Sequence, residues 1–232
     1  MIRYDLLLEV RARSQKMQAS IIEMSDQLPQ SSSTLDGMFR LRHEVFKERL
    51  KWDVGSIAGK ERDDFDDLDP VYIVCEQDGE VLGSWRALPT TGPYMLKNVF
   101  PELLYGQEAP EAEDIWEISR FAVSKKVTGM ENLATVRTVT NMLMEELFKF
   151  ASRRNLRRIV AVSDIRFERI MKRAGFETTR YGPPMRIGVT KAISAYADVS
   201  EINLRRNKLV GQSAPLVQDL ADLSADFQKL AA

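Results

Sequence analysis

The sequence predicts an α/β or α+β fold in which helices surround a mixed sheet. Two β-like runs are joined at Asp78-Gly79, a dipeptide that favours a tight hairpin turn. Apolar residues then recur at helical intervals across residues 131–154. A short apolar run at residues 156–162 follows this helix and is typical of a buried strand.

Residues 1–33 are predicted to form an N-terminal helical arm or extension. The segment is polar, its apolar residues between Leu8 and Met24 have loosely helical spacing, and it ends in a turn-like stretch at residues 30–33. A frayed extension without a role in chemistry fits the same pattern. Residues 34–232 are predicted to be one domain, because 232 residues with 44% apolar side chains suffice for a single core.

The remaining elements follow from the spacing of apolar residues. A helix is predicted from about Asp36 towards Trp52, followed by a charged, Gly-containing loop that ends at Asp69-Pro70. A second, shorter helix around Phe167 is stopped by Gly175. Strands are predicted at residues 71–76, 81–88, 115–123, 156–162, 185–189 and 193–196. The first two of these strands are expected to pair antiparallel.

Composition excludes several classes of function. With 33 basic against 34 acidic side chains, the chain is not a general polyanion binder. Cys75 is the only cysteine and His43 the only histidine, which excludes a disulfide framework, Cys/His zinc sites and catalysis by two histidines. We predict that Cys75 is a buried strand residue and that His43 is a surface or satisfied core residue, neither with a catalytic task.

The N-terminus lacks a membrane signal. The apolar residues Leu6, Leu7 and Leu8 are interrupted by Asp5 and Glu9 before a signal-peptide core or a membrane span could form. We therefore expect a soluble, cytoplasmic protein with no membrane partner.

Charged residues lie within segments that should be buried. Arg42 and Phe46 share one face of the first predicted helix, Arg86 lies in an apolar strand, and Glu117 and Arg120 lie in another. Buried charges need partners. Two explanations stay open at this point: a structural network of Arg and Glu, or a polar ligand site.

Glu117 and Arg120 also carry a geometric prediction. Residues three apart on a regular strand point to opposite faces of the sheet. If both side chains serve one site, a bulge or a strand end is required near residues 118–121.

The acidic loop Asp63-Asp64-Phe65-Asp66 raises the question of a metal. An EF-hand is excluded, because Phe65 and Leu68 interrupt its alternate oxygen ligands. A magnesium pair and a solvated acidic turn remain as interpretations, and we predict no metal site.

The spacing of these residues resembles that of the acyl-homoserine-lactone synthases, the LuxI-type autoinducer synthases. The resemblance covers roughly residues 36–200. It rests on Arg42 through Phe46 to Trp52, on Asp63 with Asp66, and on residues 83–86, 90–94 and 116–121. Within the family, the long-chain 3-oxo-acyl enzymes are most similar, through residues 92–97 and 100–104.

The resemblance implies a fold and a reaction. The fold would be the three-layer fold of the GCN5-related N-acetyltransferases, with a central twisted mixed sheet, a V-shaped cleft and flanking helices. The enzyme would move an acyl group, 3-oxo and of medium to long chain, from acyl carrier protein to the amine of S-adenosylmethionine. Lactone closure would release methylthioadenosine and yield a quorum-sensing signal. S-adenosylmethionine is then a substrate, and no cofactor is expected.

The chemistry and the resemblance together assign roles. Acylation needs a carboxylate base and an oxyanion donor; Glu117 is the expected base, and backbone N–H groups beside the strand irregularity are the expected donors. The expected catalytic residues are Glu117, Ser119 and Arg120. The residues expected to form the binding pocket for S-adenosylmethionine are Arg42, Phe46, Trp52, Asp63, Asp66 and Arg86. The expected acyl-pocket walls Trp85, Met95, Phe121 and Met144 each fit a plain core role equally well. Ser163 is also expected in the acyl pocket, because the resemblance places it where the 3-oxo enzymes of the family carry a hydroxyl; an ordinary serine at a strand end fits it as well.

A basic run between residues 153 and 173 fits either a solvated helix face or a docking surface for an acidic acyl carrier protein. The resemblance places Arg169 and Arg173, with Lys172 between them, on the carrier-docking surface. Nucleic acid is not expected as a partner, because no recognition-helix signature is present. The rival functions are an N-acyltransferase that uses acyl-CoA and another amine, and a non-catalytic binding protein.

Overall fold

The computed structural model describes residues 17–23, 29–124, 133–173 and 177–200. Within these ranges, the side chains of residues 29–32, 133–137, 169, 170, 172 and 173 are outside the description. No helix in the described ranges is both long enough and apolar enough to cross a membrane.

The described strands form one large mixed sheet and one small hairpin. The strands are β1 (Gln18–Glu23), β2 (Ser56–Ile57), β3 (Lys60–Glu61), β4 (Val71–Gln77), β5 (Glu80–Pro89), β6 (Ile115–Val123), β7 (Arg158–Asp164), β8 (Thr179–Arg180), β9 (Met185–Ile187) and β10 (Thr190–Asp198). The large sheet has the order β1-β4-β5-β6-β7-β10-β8, with β9 also paired to β10, and β2 pairs only with β3. Its pairs are antiparallel except β6 with β7, which are parallel.

Helices cover both faces of the large sheet. They are α1 (Pro29–Arg42), a π-helix (His43–Arg49), α2 (Met95–Asn98), α3 (Leu133–Arg153) and α4 (Ile165–Arg173), with 3-10 turns at Asp64–Asp67 and Pro101–Leu104. On one face, Met38 of α1 and Phe46 of the π-helix pack with Tyr72 of β4. On the other face, Leu143 of α3 packs with Trp85 of β5. The architecture therefore has three layers, with α1 and α3 on opposite sides.

Strand β6 contains a bulge where strand parity requires one. In the register with β5, Arg120 and Phe121 together lie opposite the single residue Trp85. Arg120 adopts φ = 57°, a left-handed conformation that is uncommon for residues other than Gly. The extra residue reverses the alternation of side chains, so Glu117 and Arg120 reach the same face. The predicted bulge is confirmed.

The sheet opens between β6 and β7. Their parallel register runs from Ile115 opposite Arg158 to Ile118 opposite Ala161, and it ends there although β6 continues to Val123. The bulge at Arg120 bends β6 just beyond the last pair. The central sheet is therefore splayed into the V-shaped cleft that the resemblance implies.

The N-terminal region differs from the expected helix. Gln18–Glu23 form strand β1, which pairs antiparallel with β4, and Ala19 and Ile21 pack on the α3 side while Ile22 packs on the α1 side. This alternation shows that the partner strand, rather than the loose helical spacing, decides the conformation. The division of the chain into an arm of residues 1–33 and a domain of residues 34–232 stays a prediction.

Helix α1 also begins earlier than expected. Its first residue is Pro29, so the stretch 30–33, expected to be a turn, lies inside the helix. Proline suits the first helical turn because its missing N–H has no partner there in any case. The other predicted helices and strands lie close to their expected positions, and β6 has the predicted bounds. The strands β2, β3 and β8 and the helix α2 lie in segments where no helix or strand is predicted. Gly175, the expected end of the helix around Phe167, lies outside the described residues. The hairpin at Asp78-Gly79 is present, with φ values of 54° and 78°.

Candidate active site

Three arginines from three different elements meet on the face of the sheet that α1 covers. Arg42 is the last residue of α1, Arg86 lies in the middle of β5, and Arg120 forms the bulge of β6. Their side chains are 1%, 0% and 8% exposed, respectively. Burying a guanidinium group is costly unless carboxylates pair with it, and each of the three has such partners.

Arg42 is fully engaged by two carboxylates. Its Nε donates to Oε2 of Glu61 at 2.5 Å, and its two terminal nitrogens donate to the two oxygens of Asp66 at 2.8 Å each. Burial favours a lower pKa for Arg42, but the hydrogen bonds and charges of Asp66 and Glu61 raise it above its ordinary value. Arg42 therefore holds two acidic side chains in place and presents no free nitrogen to a ligand.

Asp66 is the hub of this network. It closes a capping box with Asp63 at the start of the 3-10 turn and also accepts a hydrogen bond from the Tyr72 hydroxyl at 2.7 Å. Burial favours a higher pKa for Asp66, but Arg42 and then the charge of Arg86 hold it well below its ordinary value. Asp66 is thus an ionised, buried carboxylate.

Arg86 joins the acidic loop to β6. It pairs with Asp63 and, at 3.0 Å, with Asp66. Its Nε donates to the hydroxyl of Ser119 at 3.2 Å, and one terminal nitrogen lies 3.3 Å from Sδ of Met95. Arg86 has no exposed side-chain surface, so its ion pairs hold the acidic loop of Asp63 and Asp66 against β5.

Arg120 occupies the most open position of the three arginines. It donates to Glu61 at 3.1 Å and to Asp63 at 2.6 Å, and its guanidinium lies 5.5 Å from the centre of the Phe46 ring. Burial lowers the pKa of Arg120 despite the nearby charges of Glu61 and Asp63. Asp63, at 21% exposure, is the most accessible acidic partner of these arginines.

The charges of this cluster balance. The three arginines are matched by the three carboxylates Glu61, Asp63 and Asp66. Across the described ranges, no group of three His, Cys, Asp or Glu side chains is arranged to hold a metal ion. The acidic loop therefore serves as the counter-charge of the arginines.

Glu117 lies beside the cluster but outside its charge balance. Its two oxygens accept hydrogen bonds from the backbone N–H groups of Met95 at 2.9 Å and Leu96 at 2.7 Å. Burial raises the pKa of Glu117 to about 7, although these N–H groups and the charges of Arg86 and Arg120 oppose the rise. A carboxylate with this pKa exchanges protons readily near neutral pH.

An aromatic pair borders the same face. The rings of Phe46 and Trp52 are stacked, with centres 5.2 Å apart and planes 13° from parallel. Phe46 lies in the π-helix, an element that is frequent at functional sites, and the N–H of Trp52 bonds back to its carbonyl at 2.9 Å. Phe46 is buried, whereas Trp52 is partly exposed.

An apolar cavity of about 60 Å³ lies on the opposite face, where β6, β7 and β10 meet α3 and α4. Met144 and Ser163, two of the expected acyl-pocket residues, line it together with Ile118 and Phe167. The other three expected wall residues do not line this cavity, so the five do not form one surface.

The other three expected wall residues lie in two places. Trp85 and Phe121 pack against the cavity residue Phe167, with ring centres 5.9 and 5.0 Å from it. Met95 instead lies on the arginine side, where its sulfur is 3.5 Å from a terminal nitrogen of Arg120.

Glu61 is a site residue that the sequence analysis missed. It is completely buried and joins Arg42 to Arg120, yet it is one charge in a polar loop. No periodicity marks it; the only signal is its position two residues before Asp63.

Most arginines of the basic run have carboxylate partners. The described pairs are Arg153 with Glu146, Arg154 with Glu23, Arg157 with Asp114, Arg158 with Asp198, and Arg166 with Asp164. The side chains of the expected docking residues Arg169, Lys172 and Arg173 lie outside the description. Local pairing thus neutralises much of the run, and the docking assignment stays a prediction.

Comparisons with known proteins identify the family. A family model described as autoinducer synthase matches residues 26–207. An acyl-homoserine-lactone synthase from Pseudomonas aeruginosa is 41% identical over 163 residues, which cover 69% of this chain and 80% of that protein. Another from Aliivibrio fischeri is 42% identical over 165 residues, covering 71% and 84%.

Solved structures agree. The crystal structure of the acyl-homoserine-lactone synthase LasI is 38% identical, with a TM-score of 0.68 over 79% of this chain and 90% of that one. TofI, solved in a ternary complex with an inhibitor and MTA, is 33% identical, with a TM-score of 0.63 over 78% and 91%. A putative N-acetyltransferase from Lactobacillus plantarum, 14% identical, shares the fold with a TM-score of 0.51 over 78% and 99%. The GCN5-related N-acetyltransferase fold is thereby confirmed.

The family match spans most of the chain, and the relatives exceed 30% identity over more than two thirds of their own lengths. The same chain carries the buried arginine and carboxylate cluster, the bulged strand and the splayed sheet. It therefore belongs to the autoinducer synthase family and is an acyl-homoserine-lactone synthase, an acyltransferase.

Proposed function

We propose that this synthase transfers a 3-oxo-acyl group of medium to long chain from an acyl carrier protein to the amine of S-adenosylmethionine. It then closes the lactone and releases methylthioadenosine. The observation that carries the proposal is Glu117, a buried carboxylate whose pKa is raised to about 7, on the same face as Arg120 at the mouth of the cleft.

In the acylation step, Glu117 takes a proton from the amine of S-adenosylmethionine, directly or through a water molecule. Each carboxylate oxygen has a second lone pair free for this contact besides the one that accepts a backbone N–H. The nitrogen attacks the thioester carbonyl, the new C–N bond forms, and the C–S bond breaks. Glu117 passes its proton to the leaving sulfur, so the carrier departs as a thiol and Glu117 is again ionised. Backbone N–H groups at the Arg120 bulge stabilise the oxyanion.

In the lactonisation step, the carboxylate of the same substrate attacks its own γ-carbon. The bond to the positively charged sulfur breaks, and neutral methylthioadenosine leaves. No proton has to move, so the protein mainly folds the substrate into position. We assign the carboxylate contact to Arg120, because its side chain is the most exposed of the three arginines.

The proposed S-adenosylmethionine pocket has two groups of residues. Asp63 and Trp52, which are partly exposed, contact the substrate cation and adenine, and Phe46 supports the Trp52 ring from behind. Arg42, Asp66 and Arg86 are buried and paired, and they hold the loop that carries these contacts.

The proposed acyl pocket is the apolar cavity lined by Met144 and Ser163, with the aromatic pair Trp85 and Phe121 beside it. A hydroxyl among apolar walls favours an acyl chain that has one polar group to match it. We assign the Ser163 hydroxyl as the donor to a 3-oxo group, and Ser119 as a support that accepts from Arg86.

Paired acyl donors test this proposal. Purified enzyme receives S-adenosylmethionine with 3-oxo and unsubstituted acyl chains of equal length, each on carrier protein and on coenzyme A, and the lactones are measured by mass spectrometry. We expect the 3-oxo chain on carrier protein to react fastest. Equal rates for the 3-oxo and unsubstituted chains contradict the acyl assignment, and faster turnover of acyl-CoA contradicts the carrier assignment.

The Ser163→Ala variant tests the hydroxyl. We expect it to lower the preference for 3-oxo over unsubstituted chains by about 2- to 10-fold, the value of one hydrogen bond. Ser163→Thr keeps the hydroxyl and is the matched control. An unchanged preference in Ser163→Ala removes Ser163 from the proposed role.

A further inference from the structure

We propose that His43 is a positioning residue that holds the β2–β3 hairpin, and with it Glu61, against the S-adenosylmethionine pocket. The inference rests on the proposed function of that pocket. His43 does not contact the reacting atoms; it acts through Ser56 and the hairpin.

Two neighbouring helix residues hold the two strands of the hairpin. Arg42 ends α1 and donates to Glu61 of β3 at 2.5 Å. His43 begins the π-helix, and its Nδ1 lies 2.5 Å from the Ser56 hydroxyl oxygen of β2. Ser56 and Glu61 are register partners in the hairpin. Consecutive residues at the change from α-helix to π-helix therefore fix one cross-strand pair.

The imidazole of His43 contacts both the hairpin and its own helix. Its Nδ1 shares a hydrogen bond with the Ser56 hydroxyl, whose oxygen also lies 3.1 Å from the carbonyl of Lys60. The tautomer of the imidazole decides whether Nδ1 or the hydroxyl is the donor. The other nitrogen, Nε2, lies 3.4 Å from the carboxylate of Glu48. The ring thus joins the hairpin to the last turn of the π-helix.

The hairpin depends on such side-chain contacts. Its strands have two residues each, and Ile57 at its tip is 84% exposed, so it buries little apolar surface of its own. Both turn residues, Ala58 and Gly59, have positive φ values of 53° and 73°. Besides the contact from His43, the hairpin is held by the ion pairs of Glu61 and by the pair between Lys60 and Asp36.

A shift of the hairpin would reach the pocket directly. Glu61 contacts Arg42 with one oxygen and Arg120 with the other. Arg120 is the arginine assigned to the substrate carboxylate. If the hydrogen bond between His43 and Ser56 is lost, the hairpin can shift and carry Glu61 with it. The position of Arg120 then changes, although every residue of the pocket is still present.

Two conservative variants of His43 distinguish the role of Nδ1 from the role of Nε2. Asn places a polar atom of its amide near the position of Nδ1 and preserves the hydrogen bond with Ser56, whereas Gln places its amide near the position of Nε2 and loses that bond. We expect His43→Gln and Ser56→Ala to raise the KM for S-adenosylmethionine by about 3- to 10-fold, the effect of one hydrogen bond, with kcat nearly unchanged. His43→Asn should stay close to the original enzyme. The double variant His43→Gln/Ser56→Ala should be no worse than either single variant.

Hydrogen exchange gives a second readout that does not require turnover. We expect the backbone amides of residues 54–61 to exchange faster in His43→Gln and Ser56→Ala, and at the original rate in His43→Asn. If His43→Gln leaves both the exchange and the KM unchanged, the proposal is overturned. Faster exchange with an unchanged KM overturns the link from the hairpin to the pocket.

Calorimetric titration with S-adenosylmethionine alone distinguishes this failure from failure of the proposed function. If the unaltered enzyme does not bind S-adenosylmethionine, the proposed function has failed and the premise of this inference falls with it. If it binds, and His43→Gln binds equally well, only the positioning role of His43 is wrong.

Discussion

At the scale of single residues, the three arginines of the site carry the same charge but do different work. Arg42 and Arg86 are saturated by carboxylates and other acceptors, whereas Arg120 retains some exposure at the pocket. Among the described residues, Glu117 is held by the backbone N–H groups of Met95 and Leu96 and not by an arginine, and burial raises its pKa to about 7. The proposed roles therefore assign support to Arg42 and Arg86, and chemistry to Glu117 and Arg120.

Because Arg42 holds two buried carboxylates, its replacement by Ala should lower the stability of the protein. Arg42→Ala leaves Asp66 and Glu61 buried without their main partner, so we expect the free energy of unfolding to fall by about 3–5 kcal/mol. Chemical denaturation measures this change. Arg40→Ala is the matched control, because Arg40 pairs with Asp36 at the surface and should cost less than about 1 kcal/mol. Equal effects of the two variants contradict the buried network as the source of stability.

The base role of Glu117 predicts a pH dependence. The base is active when ionised, so kcat/KM should rise with pH through about 7. Glu117→Gln should lower kcat/KM by about 100- to 10,000-fold and remove this rise from the residual activity. A profile of kcat/KM against pH for both proteins is the test. A variant that keeps the same rise would show that another group titrates.

The same shift has a consequence for stability. The folded pKa of Glu117 lies above its ordinary value of 4.5, so the folded protein binds the proton more tightly than the unfolded chain. Its contribution to stability is therefore complete below pH 4.5 and is lost as the pH rises through about 7. Urea denaturation curves should show a smaller loss over this pH interval for Glu117→Gln than for the original protein.

At the scale of elements, the sequence predicts most of the sheet and part of the site. Strand β6 and its bulge follow from local evidence, since two functional side chains three residues apart cannot share a face of a regular strand. Strand β1 does not, because its conformation depends on pairing with β4, which lies about fifty residues later. Glu61 is hidden for the same reason: its burial is created by Arg42 and Arg120, which approach from distant segments.

The bulge predicts an order of stability among variants at one position. Arg120→Ala and Arg120→Gly both lose the guanidinium, but only Gly adopts the observed φ of 57° without steric cost. We expect Arg120→Gly to be more stable than Arg120→Ala by about 1 kcal/mol. Thermal unfolding of the two variants side by side gives the answer. If Ala is equally stable, the left-handed conformation is absent in solution.

At the scale of the whole molecule, the proposed mechanism assigns the two faces of the sheet to different parts of the reaction. The charged cluster lies on the α1 face and the apolar cavity lies on the α3 face, and the pairing of β6 with β7 ends at Ile118 and Ala161. An acyl thioester has a polar reacting end and an apolar tail, and this arrangement matches both. The residues of either face alone would not distinguish a synthase from another acyltransferase of this fold.

Carrier docking is predicted at this scale, because it concerns the surface and not the pocket. We expect the double charge reversal Arg169→Glu/Arg173→Glu to lower kcat/KM for the acyl carrier substrate by at least about tenfold, with the KM for S-adenosylmethionine unchanged. Arg157→Glu is the matched control, because Arg157 is an exposed arginine of the same run that pairs with Asp114. An equal loss in this control would assign the effect to net charge and not to a docking surface.

The stoichiometry of products tests the central claim most directly. Purified enzyme is given S-adenosylmethionine and a 3-oxo-acyl carrier protein, and free thiol, methylthioadenosine and lactone are measured in the same reaction. The synthase mechanism predicts one methylthioadenosine and one lactone for each thiol released, with all three strongly reduced in Glu117→Gln. Release of thiol without methylthioadenosine would show that the enzyme acylates an amine but does not close the lactone, and would contradict the account.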